Sequence, residues 1–536
     1  MTTALIRRYL HKLPGIVVGI VLAFAVYSTP AQTFTDDYND GNDTGWTRYN
    51  VLQQFGLGAT YTFPGGNSYN INAPGNYNPA MAAIGGGRAG SIVTSSSSGL
   101  NDFRITVDVT NWNDGREYVF GPIARATTPG LGTTDGYLLI LHATDHDFQL
   151  LRIEGEAPNS EELGTVEVEM PVDRDFRIVY SGLGNQLNAL VYDLADLSAP
   201  LGGFSVDAAN YGPAPTPAPY STGAVGLIVA QADQPDDPAP APGAPYAATV
   251  DNVRATAPLA GEWNALGGGL AAEAFNWVGN VSPNGVGAHA RFVGGAETDA
   301  EVSIDGAFYT LGKITFDNTR RYTLSGQPIL LQDIGDAEIN VLSGSHEIAA
   351  NVTLGSNLRK TGSGTLTISG PIDWAGMTVN VASGNLRLGR VAQGNNLNLS
   401  GGTATLLPDS GTSQIGTVSI AGGNVPTGRL DVTDNAAVLE YSGASPVATV
   451  RAQLLAGRGG AGFGATWAGQ GITSSTVAAA KPRSRRRARW AMPRTRRCRW
   501  GHTRTSAARR STAAACSSHT RAPPMPTWTA WSTMTT

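Results

Sequence analysis

Hydrophobic and polar residues alternate over short stretches along the first half of the chain. Residues 103–110 read FRITVDVT, in which every second side chain is apolar. A period of two is typical of a β-strand with one buried face. Further strand-like runs separated by turn residues lie at 118–126, 136–143, 148–153, 165–171, 176–180, 186–194, 223–232 and 247–257. This series of short strands predicts an all-β protein that begins with a jelly-roll β-sandwich over residues 32–258.

A second pattern starts near residue 261, where short β-runs end repeatedly in Ser-Gly or Ala-Gly. The first glycines of successive runs, from TLSG at 323–326 to SIAGG at 419–423, are 18, 26, 14, 17 and 21 residues apart. A period near 20 is typical of a solenoid, whose rungs bury their apolar faces against each other. We therefore predict a β-solenoid over residues 259–445. A closing segment at 446–480 is expected to hold one short helix at 447–456, and Trp467 is expected to cover the solenoid end.

The two ends of the chain differ from this β-rich body. Basic residues precede an uncharged apolar run at 16–26, and the small residues Thr29 and Ala31 follow it. This order predicts a secretory signal peptide at 1–31 with cleavage after Ala31. The apolar run is too short for a membrane anchor, which needs about 20 residues. No second run of that length follows, so no transmembrane segment is expected in the mature chain.

Charge is distributed unevenly. The tail at 481–536 holds 14 of the 37 Lys and Arg residues and none of the 42 Asp and Glu residues, which leaves 23 bases among the acids of the body. An acidic body argues against nucleic acid as a partner, because phosphates favour basic surfaces. Both cysteines, Cys498 and Cys516, also lie in the tail, so disulfides and Cys-ligated metals cannot stabilise the body.

The basic tail itself is predicted to be disordered and to result from a shifted reading frame. Methionine and tryptophan have single codons, so the run from Met525 to Thr535 can be read in another frame with several bases known. That frame permits a sequence that resembles the calcium loop of dockerin-type modules. Alternating carboxylates around a glycine turn suit calcium, which prefers oxygen ligands.

Several short motifs carry a family resemblance in the first region. They are FTDDYNDG at 34–41, GW at 45–46, GPIAR at 121–125, DGY at 135–137 and TVDNVR at 249–254. With these motifs the region resembles concanavalin A-like lectin/glucanase domains of the laminin-G-like kind. The resemblance implies that the first and last strands lie side by side. It also implies polysaccharide or extracellular-matrix glycans as partners.

The repeat region resembles autotransporter-associated β-strand repeats, notably in LGKITFDN at 311–318 and GSGTLTISG at 362–370. This resemblance implies a right-handed parallel β-helix. Together with the signal peptide, it favours an extracellular or cell-surface location in a Gram-negative-type bacterium.

An Asp-rich stretch at the start of the body offers candidate calcium ligands. Asp36, Asp37, Asn39 and Asp40 supply the oxygen atoms that this ion prefers. Calcium is the one candidate cofactor. The alternative is an ordinary Asx-rich turn between the first strands.

Three aromatic residues are candidates for stacking on sugar rings: Trp112, Tyr118 and Tyr137. The alternative for each ring is packing in the hydrophobic core.

The sequence offers only weak candidates for catalytic residues. Glu154 and Glu156 do not have the spacing of the glucanase motif and are predicted to be solvated loop carboxylates. His142 and His146 have the spacing of zinc ligands on a helix, but they fall on a strand end and a turn, where this spacing gives no common face.

The sequence thus favours a non-enzymatic binding or adhesion protein that recognises polysaccharide through the lectin-like region. A polysaccharide-active hydrolase or lyase and a structural surface or matrix component are the alternatives.

Overall fold

A computed structural model describes residues 33–480 except 94–99, 157–159, 170–173, 213–215, 233–245, 307–308, 393–394 and 460–464. The predicted signal peptide with its cleavage at Ala31 and the basic tail lie outside the described residues. Within them the chain is all-β, as expected, with a sandwich followed by a parallel solenoid of about 7 turns.

Fifteen strands build the sandwich. In chain order they are β1 (Thr33–Asp36), β2 (Trp46–Tyr49), β3 (Thr60–Thr62), β4 (Tyr69–Ala73), β5 (Arg88–Val93), β6 (Phe103–Asn111), β7 (Tyr118–Thr127), β8 (Asp135–His142), β9 (Asp147–Ile153), β10 (Ser160–Glu167), β11 (Phe176–Leu183), β12 (Gln186–Asp193), β13 (Gly202–Asp207), β14 (Ala224–Gln231) and β15 (Tyr246–Thr256). Short 3-10 turns at Gln53–Phe55, Pro64–Gly66 and Pro79–Ile84 connect the early strands.

The strands form two antiparallel sheets. One sheet, which we call the inner sheet, has the order β13-β12-β11-β6-β15-β4-β3, with β1 also paired to β15. The other, which we call the outer sheet, has the order β10-β9-β8-β7-β14-β5-β2. The first and last strands lie side by side, with Phe34 opposite Ala255. The jelly-roll prediction and the strand adjacency implied by the lectin-like resemblance are therefore confirmed.

Alternation in β6 explains how the inner sheet carries both a core and a polar face. Phe103 and Val107 point into the core between the two sheets. Arg104 and Asp108 are also buried, at 4% and 2% exposure, on the opposite face. Sequence alternation predicted one buried face for such strands, but the solenoid covers the second face, so β6 is buried on both.

Twenty-one shorter strands and two helices follow. The strands are β16 (Gly269–Leu270), β17 (His289–Val293), β18 (Ala300–Ile304), β19 (Tyr309–Leu311), β20 (Lys313–Asp317), β21 (Tyr322–Gly326), β22 (Ile329–Leu331), β23 (Ala337–Ser343), β24 (Ser345–Ile348), β25 (Val352–Leu354), β26 (Leu358–Thr361), β27 (Thr365–Ile368), β28 (Ile372–Asp373), β29 (Thr378–Val381), β30 (Asn385–Leu388), β31 (Asn395–Leu399), β32 (Thr403–Leu406), β33 (Ser413–Ile420), β34 (Arg429–Asp431), β35 (Ala437–Leu439) and β36 (Gly471–Thr473). The helices are α1 (Val447–Arg458) and α2 (Ser475–Ala479), and a 3-10 turn lies at Ala274–Asn276.

These strands pair in parallel into sheets of nine, eight and four strands. Equivalent positions of successive rungs stack into columns of apolar side chains. One column runs through Val302, Leu324, Ile348, Ile368, Leu388 and Leu406. The apolar side chains of each rung pack against those of the next rung, so the columns merge into one continuous core.

Two tryptophans close the solenoid end that meets the sandwich. Trp263 and Trp277 are fully buried, with ring centroids 4.9 Å apart in an edge-on arrangement. They share a hydrophobic cluster with Leu190 and Tyr192 of the inner sheet, so the two regions have a common core at this junction.

Helix α1 covers the other end. It begins at Val447 as predicted and continues to Arg458, two residues past the predicted end. Val450 and Leu454 pack against the solenoid core from this helix. Trp467, which is predicted to cover this end, is half-buried and lies outside the described core cluster.

Candidate functional site

A polar cleft opens where the sandwich meets the solenoid, and we call it the junction cleft. Its volume is about 770 Å³. The lining residues are Thr35, Asp36, Asp37, Asp40, Thr44, Arg104, Thr106, Arg177, Asn252, Val253, Arg254, Leu266, Gly294, Gly295 and Glu297. They come from β1 and the loop after it, from the outward side of β6 and β11, from β15, and from the first solenoid residues. Four carboxylates and three guanidinium groups thus border one open space.

Two buried arginines form the fixed part of this lining. Arg177 makes a two-point ion pair with Asp108, in which Nη2 donates to Oδ2 at 2.7 Å, and it also pairs with Glu297. Arg104 donates to the side-chain and backbone oxygens of Asn264 at 3.2 and 2.7 Å. Burial lowers the pKa of Arg104 from its ordinary value. Each guanidinium is therefore held in place by contacts that cross from the sandwich to another segment.

A bulge in β15 shapes the opposite wall. The pairing of β15 with β6 shifts register between Asp251 and Arg254, and Asn252 lies there with φ +49°. The Asn252 amide donates to Asp108 at 3.0 Å. Bulges of this kind redirect side chains and are common beside binding sites. Here the bulge leaves Arg254 exposed, with a 3.3 Å hydrogen bond to the backbone oxygen of Gly294.

The acidic wall of the cleft, formed by Asp36, Asp37 and Asp40, contains two carboxyl groups whose pKa values are shifted in opposite directions. Burial raises the pKa of Asp36, and the charges of Asp40 and Asp37 raise it further. Asp37 has the opposite shift, because hydrogen bonds from Asn39 lower its pKa. Neighbouring carboxylates in this loop therefore differ in their affinity for protons.

The four predicted calcium ligands lie in or beside this cleft, and three of them accept local hydrogen bonds. Asp36 accepts hydrogen bonds from the Tyr38 backbone N–H and the Trp46 indole at 2.9 and 2.8 Å. Asp37 and Asp40 accept from the backbone N–H two residues ahead, at Asn39 and Asn42. These bonds close Asx turns. Among the described residues, the donor atoms of these carboxylates do not converge as a group of three.

The three predicted sugar-stacking aromatics are core residues. Trp112, Tyr118 and Tyr137 are 5%, 0% and 0% exposed and belong to the cluster between the two sheets. The Tyr118 hydroxyl donates to the backbone oxygen of Ala247 at 2.9 Å, and the Tyr137 hydroxyl accepts from the Tyr220 backbone N–H. A ring enclosed in this way has no face open to a sugar, so core packing is the correct alternative.

The two candidate catalytic glutamates have different surroundings. Glu154 is exposed, as predicted for a solvated loop. The same prediction is wrong for Glu156, which is 3% exposed and accepts two hydrogen bonds from Arg88 at 2.6 and 2.8 Å. Burial alone would raise the pKa of Glu156, but the bonds from Arg88 and Tyr49 hold the pKa below its ordinary value. Glu156 is thus an ionised structural group.

Sequence reasoning missed the arginines of the cleft and Glu297. One signal was present: Arg104, Thr106 and Asp108 alternate with apolar residues in β6. A strand in the middle of a sheet with three such polar residues on one side has a polar second face. What the sequence did not indicate is that solenoid residues such as Glu297 meet this face.

No helix among the described residues has the length and apolar character needed to cross a bilayer.

No protein-family model and no curated protein matches the chain. Among solved structures, a carbohydrate-binding module, CBM66, from Bacillus subtilis is 16% identical, covering 40% of this chain and 96% of its own, with a TM-score of 0.25. The winged bean acidic lectin complexed with methyl-α-D-galactose is 7% identical, covering 42% and 98%, with a TM-score of 0.27. The GH43 protein BlXynB from Bacillus licheniformis is 11% identical, covering 42% and 39%, with a TM-score of 0.28.

Proposed function

We propose that the protein is a secreted or cell-surface binding protein that holds a polysaccharide or matrix glycan in the junction cleft. The observation that carries this proposal is the cleft itself, a space of about 770 Å³ bordered by four carboxylates and three guanidinium groups. Export is supported by the signal-like sequence at 1–31, and the envelope of a Gram-negative-type bacterium is the proposed setting.

A hydroxyl-rich ligand matches the chemistry of this lining. Each sugar hydroxyl can both donate and accept a hydrogen bond, so it needs acceptors and donors close together. Asp37 and Asp40 offer acceptors on one wall, while Arg254 offers donors on another. The volume falls within the range of about 300–1,000 Å³ that is usual for ligand sites.

Preorganisation favours binding at this place. Arg177 is fixed by Asp108 and Glu297, and Arg104 is fixed by Asn264. Side chains that are already held lose little conformational freedom when a ligand arrives, so more of the interaction energy remains for binding.

We propose binding without hydrolysis. The buried carboxylate that the hydrolase hypothesis named, Glu156, is paired with Arg88 and has a lowered pKa. A general acid for glycoside hydrolysis needs a raised pKa. The solenoid, with its polar and weakly charged surface, then serves as a spacer that holds the sandwich away from the surface of the cell.

A polysaccharide array tests this proposal. The full chain is compared with the double variant Asp40→Ala/Arg254→Ala, whose side chains are both exposed in the cleft. The matched control is Asp114→Ala, an exposed carboxylate in the turn between β6 and β7. We expect the full chain and the control to retain one or more polysaccharides, and the double variant to lose at least about 10-fold in affinity, the equivalent of about 1.4 kcal/mol.

Two results would contradict the proposal in different ways. Absence of binding to every polysaccharide would remove carbohydrate as the ligand class. Binding that the double variant and the control share equally would keep carbohydrate as the ligand but move the site away from the junction cleft.

A further inference from the structure

A second group of polar side chains lies outside the junction cleft, at the hairpin that joins β8 to β9. His142 is the last residue of β8, Asp147 is the first residue of β9, and Asp145 lies in the turn between them. The hairpin is closed by a 3.0 Å hydrogen bond from the His146 backbone N–H to the His142 backbone oxygen. The turn thus brings the two strand ends and Asp145 together.

The three side chains point to a common place. One donor atom from each of His142, Asp145 and Asp147 lies within 4.8 Å of the others. Among the described residues, this is the one group of three His, Cys, Asp or Glu side chains that converges in this way. Strand alternation explains part of the geometry: Leu139 and Leu141 point into the sandwich core, so His142 lies on the other face of the outer sheet.

Two atoms of this group lack a partner within the protein. His142 Nδ1 and Asp147 Oδ1 are almost fully shielded from solvent and make no hydrogen bond to protein. Buried polar atoms without a partner cost free energy, so folded proteins rarely retain them. Here two such atoms occur in the same group of three, which is the arrangement that a bound cation would satisfy.

The other carboxylate oxygen of Asp147 is already oriented. Asp147 Oδ2 accepts hydrogen bonds from Gln149 Nε2 at 2.8 Å and from Thr165 Oγ1 at 3.2 Å. These bonds hold the carboxylate while its Oδ1 remains available. Outer hydrogen bonds of this kind typically orient the ligands of a metal site.

We propose that His142, Asp145 and Asp147 bind a divalent first-row transition cation. An imidazole nitrogen favours these metals over calcium and magnesium, which prefer oxygen alone. Two carboxylates balance the charge of the ion. Asp145 is exposed, so the remaining coordination positions face solvent. The bound ion clamps the end of the β8–β9 hairpin.

His146 does not take part, although it has the helical spacing of a zinc ligand relative to His142. Its ring packs edge-on against Trp112, with centroids 5.6 Å apart. His142 instead shares the proposed site with Asp147, which lies across the hairpin. The spacing of the two histidines does not indicate this pair.

Binding of Co²⁺ alone to the full chain tests this site. The two cysteines of the chain both lie in the tail, so alkylation removes thiol ligands without touching the hairpin. We expect the visible absorption of a nitrogen- and oxygen-ligated Co²⁺, and an affinity that falls more than about 10-fold in Asp145→Asn and in His142→Gln. Asp114→Asn and His289→Gln, at another turn and in the solenoid, are the matched controls and should bind like the unaltered chain.

The exposed position of Asp145 keeps the test free of folding effects, and circular dichroism checks that each variant is folded. Unchanged Co²⁺ affinity in both hairpin variants, or no Co²⁺ signal in the alkylated full chain, would overturn the proposed site.

Discussion

Two buried cations, Arg88 in the sandwich and Lys360 in the solenoid, are stabilised in different ways. In the sandwich, Arg88 pairs with Glu156, and the two side chains are 68 residues apart in the sequence. In the solenoid, Lys360 is fully buried and donates to four backbone oxygens of its own and the next turn, at 2.8 to 3.2 Å. The charge of Arg88 is thus balanced by a distant side chain, whereas the charge of Lys360 is satisfied by local backbone oxygens.

Topology explains this difference. Antiparallel strands of a jelly roll bring together residues from far along the chain, so specific pairs can form on either face of a sheet. A solenoid stacks each residue on its equivalent in the next rung, so its core consists of repeated positions. Lys360 occupies one such position, in a column with Ile339, Val381 and Leu399. A charge at this position has no side-chain partner of opposite sign in its column.

The largest expected effect is therefore in the sandwich. Arg88→Met leaves Glu156 buried without its cation, which we expect to reduce the free energy of unfolding by about 3–5 kcal/mol. Chemical denaturation of the full chain measures this change. Arg48→Met, which breaks the more exposed pair with Asp43, is the matched control and should cost less than about 1 kcal/mol.

Equal costs for these two substitutions would show that the buried pair contributes no more than a surface pair. The double variant Arg88→Met/Glu156→Gln sharpens the point, because removing the stranded charge should restore part of the lost stability.

Acid should weaken the solenoid through its histidines. Burial lowers the pKa of His289 from 6.5 to about 4, so the folded state resists a proton that the unfolded chain accepts. The contribution of His289 to stability is fully present above pH 6.5 and is lost as the pH falls toward 4. Because the ring is only partly buried and solvent screens its charge, we expect a loss of about 1–2 kcal/mol. Urea unfolding at pH 7.5 and 4.5 measures the loss, and His289→Gln should make it smaller. An equal loss in His289→Gln would contradict this assignment.

Protonation of His346 should also destabilise the solenoid at low pH. Burial lowers its pKa, and its Nδ1 accepts a hydrogen bond from the Tyr322 backbone N–H at 3.1 Å. A proton on Nδ1 would oppose that N–H. The acid effect that remains in His289→Gln is therefore expected to include this residue.

A smaller effect is expected at Lys360. Lys360→Met keeps most of the side-chain volume but leaves the four backbone oxygens without their donor, so we expect a loss of about 2 kcal/mol. Ile334→Ser is the control, because Ile334 is 99% exposed and its replacement should change stability by less than about 0.5 kcal/mol. A gain in stability in Lys360→Met would show that apolar stacking in the column outweighs the lost hydrogen bonds.

Periodicity was the most informative feature of the sequence. Alternation in runs such as the one at 103–110 predicts the sandwich strands, and the glycine-ended repeats predict the solenoid. Both signals are local. The helix Val447–Arg458 was likewise predictable from its own residues.

The sites were less predictable, because each depends on contacts between distant segments. The junction cleft combines Asp40, Arg177 and Glu297, which no local pattern connects. Trp112 and Tyr137 were proposed as sugar platforms because their residue type suits stacking, but residue type does not determine which face of a strand is buried. Lys360 lies in a polar-looking stretch, LRKTGSG, and only the stacking of rungs places it in the core.

Hydrogen–deuterium exchange of the full chain, with and without a polysaccharide retained on the array, tests binding in the junction cleft most directly. We expect slower exchange at the cleft walls, around residues 35–44 and 252–254, with no change in the hairpin between β8 and β9. Protection confined to the outer sheet, with the cleft walls unchanged, would contradict it.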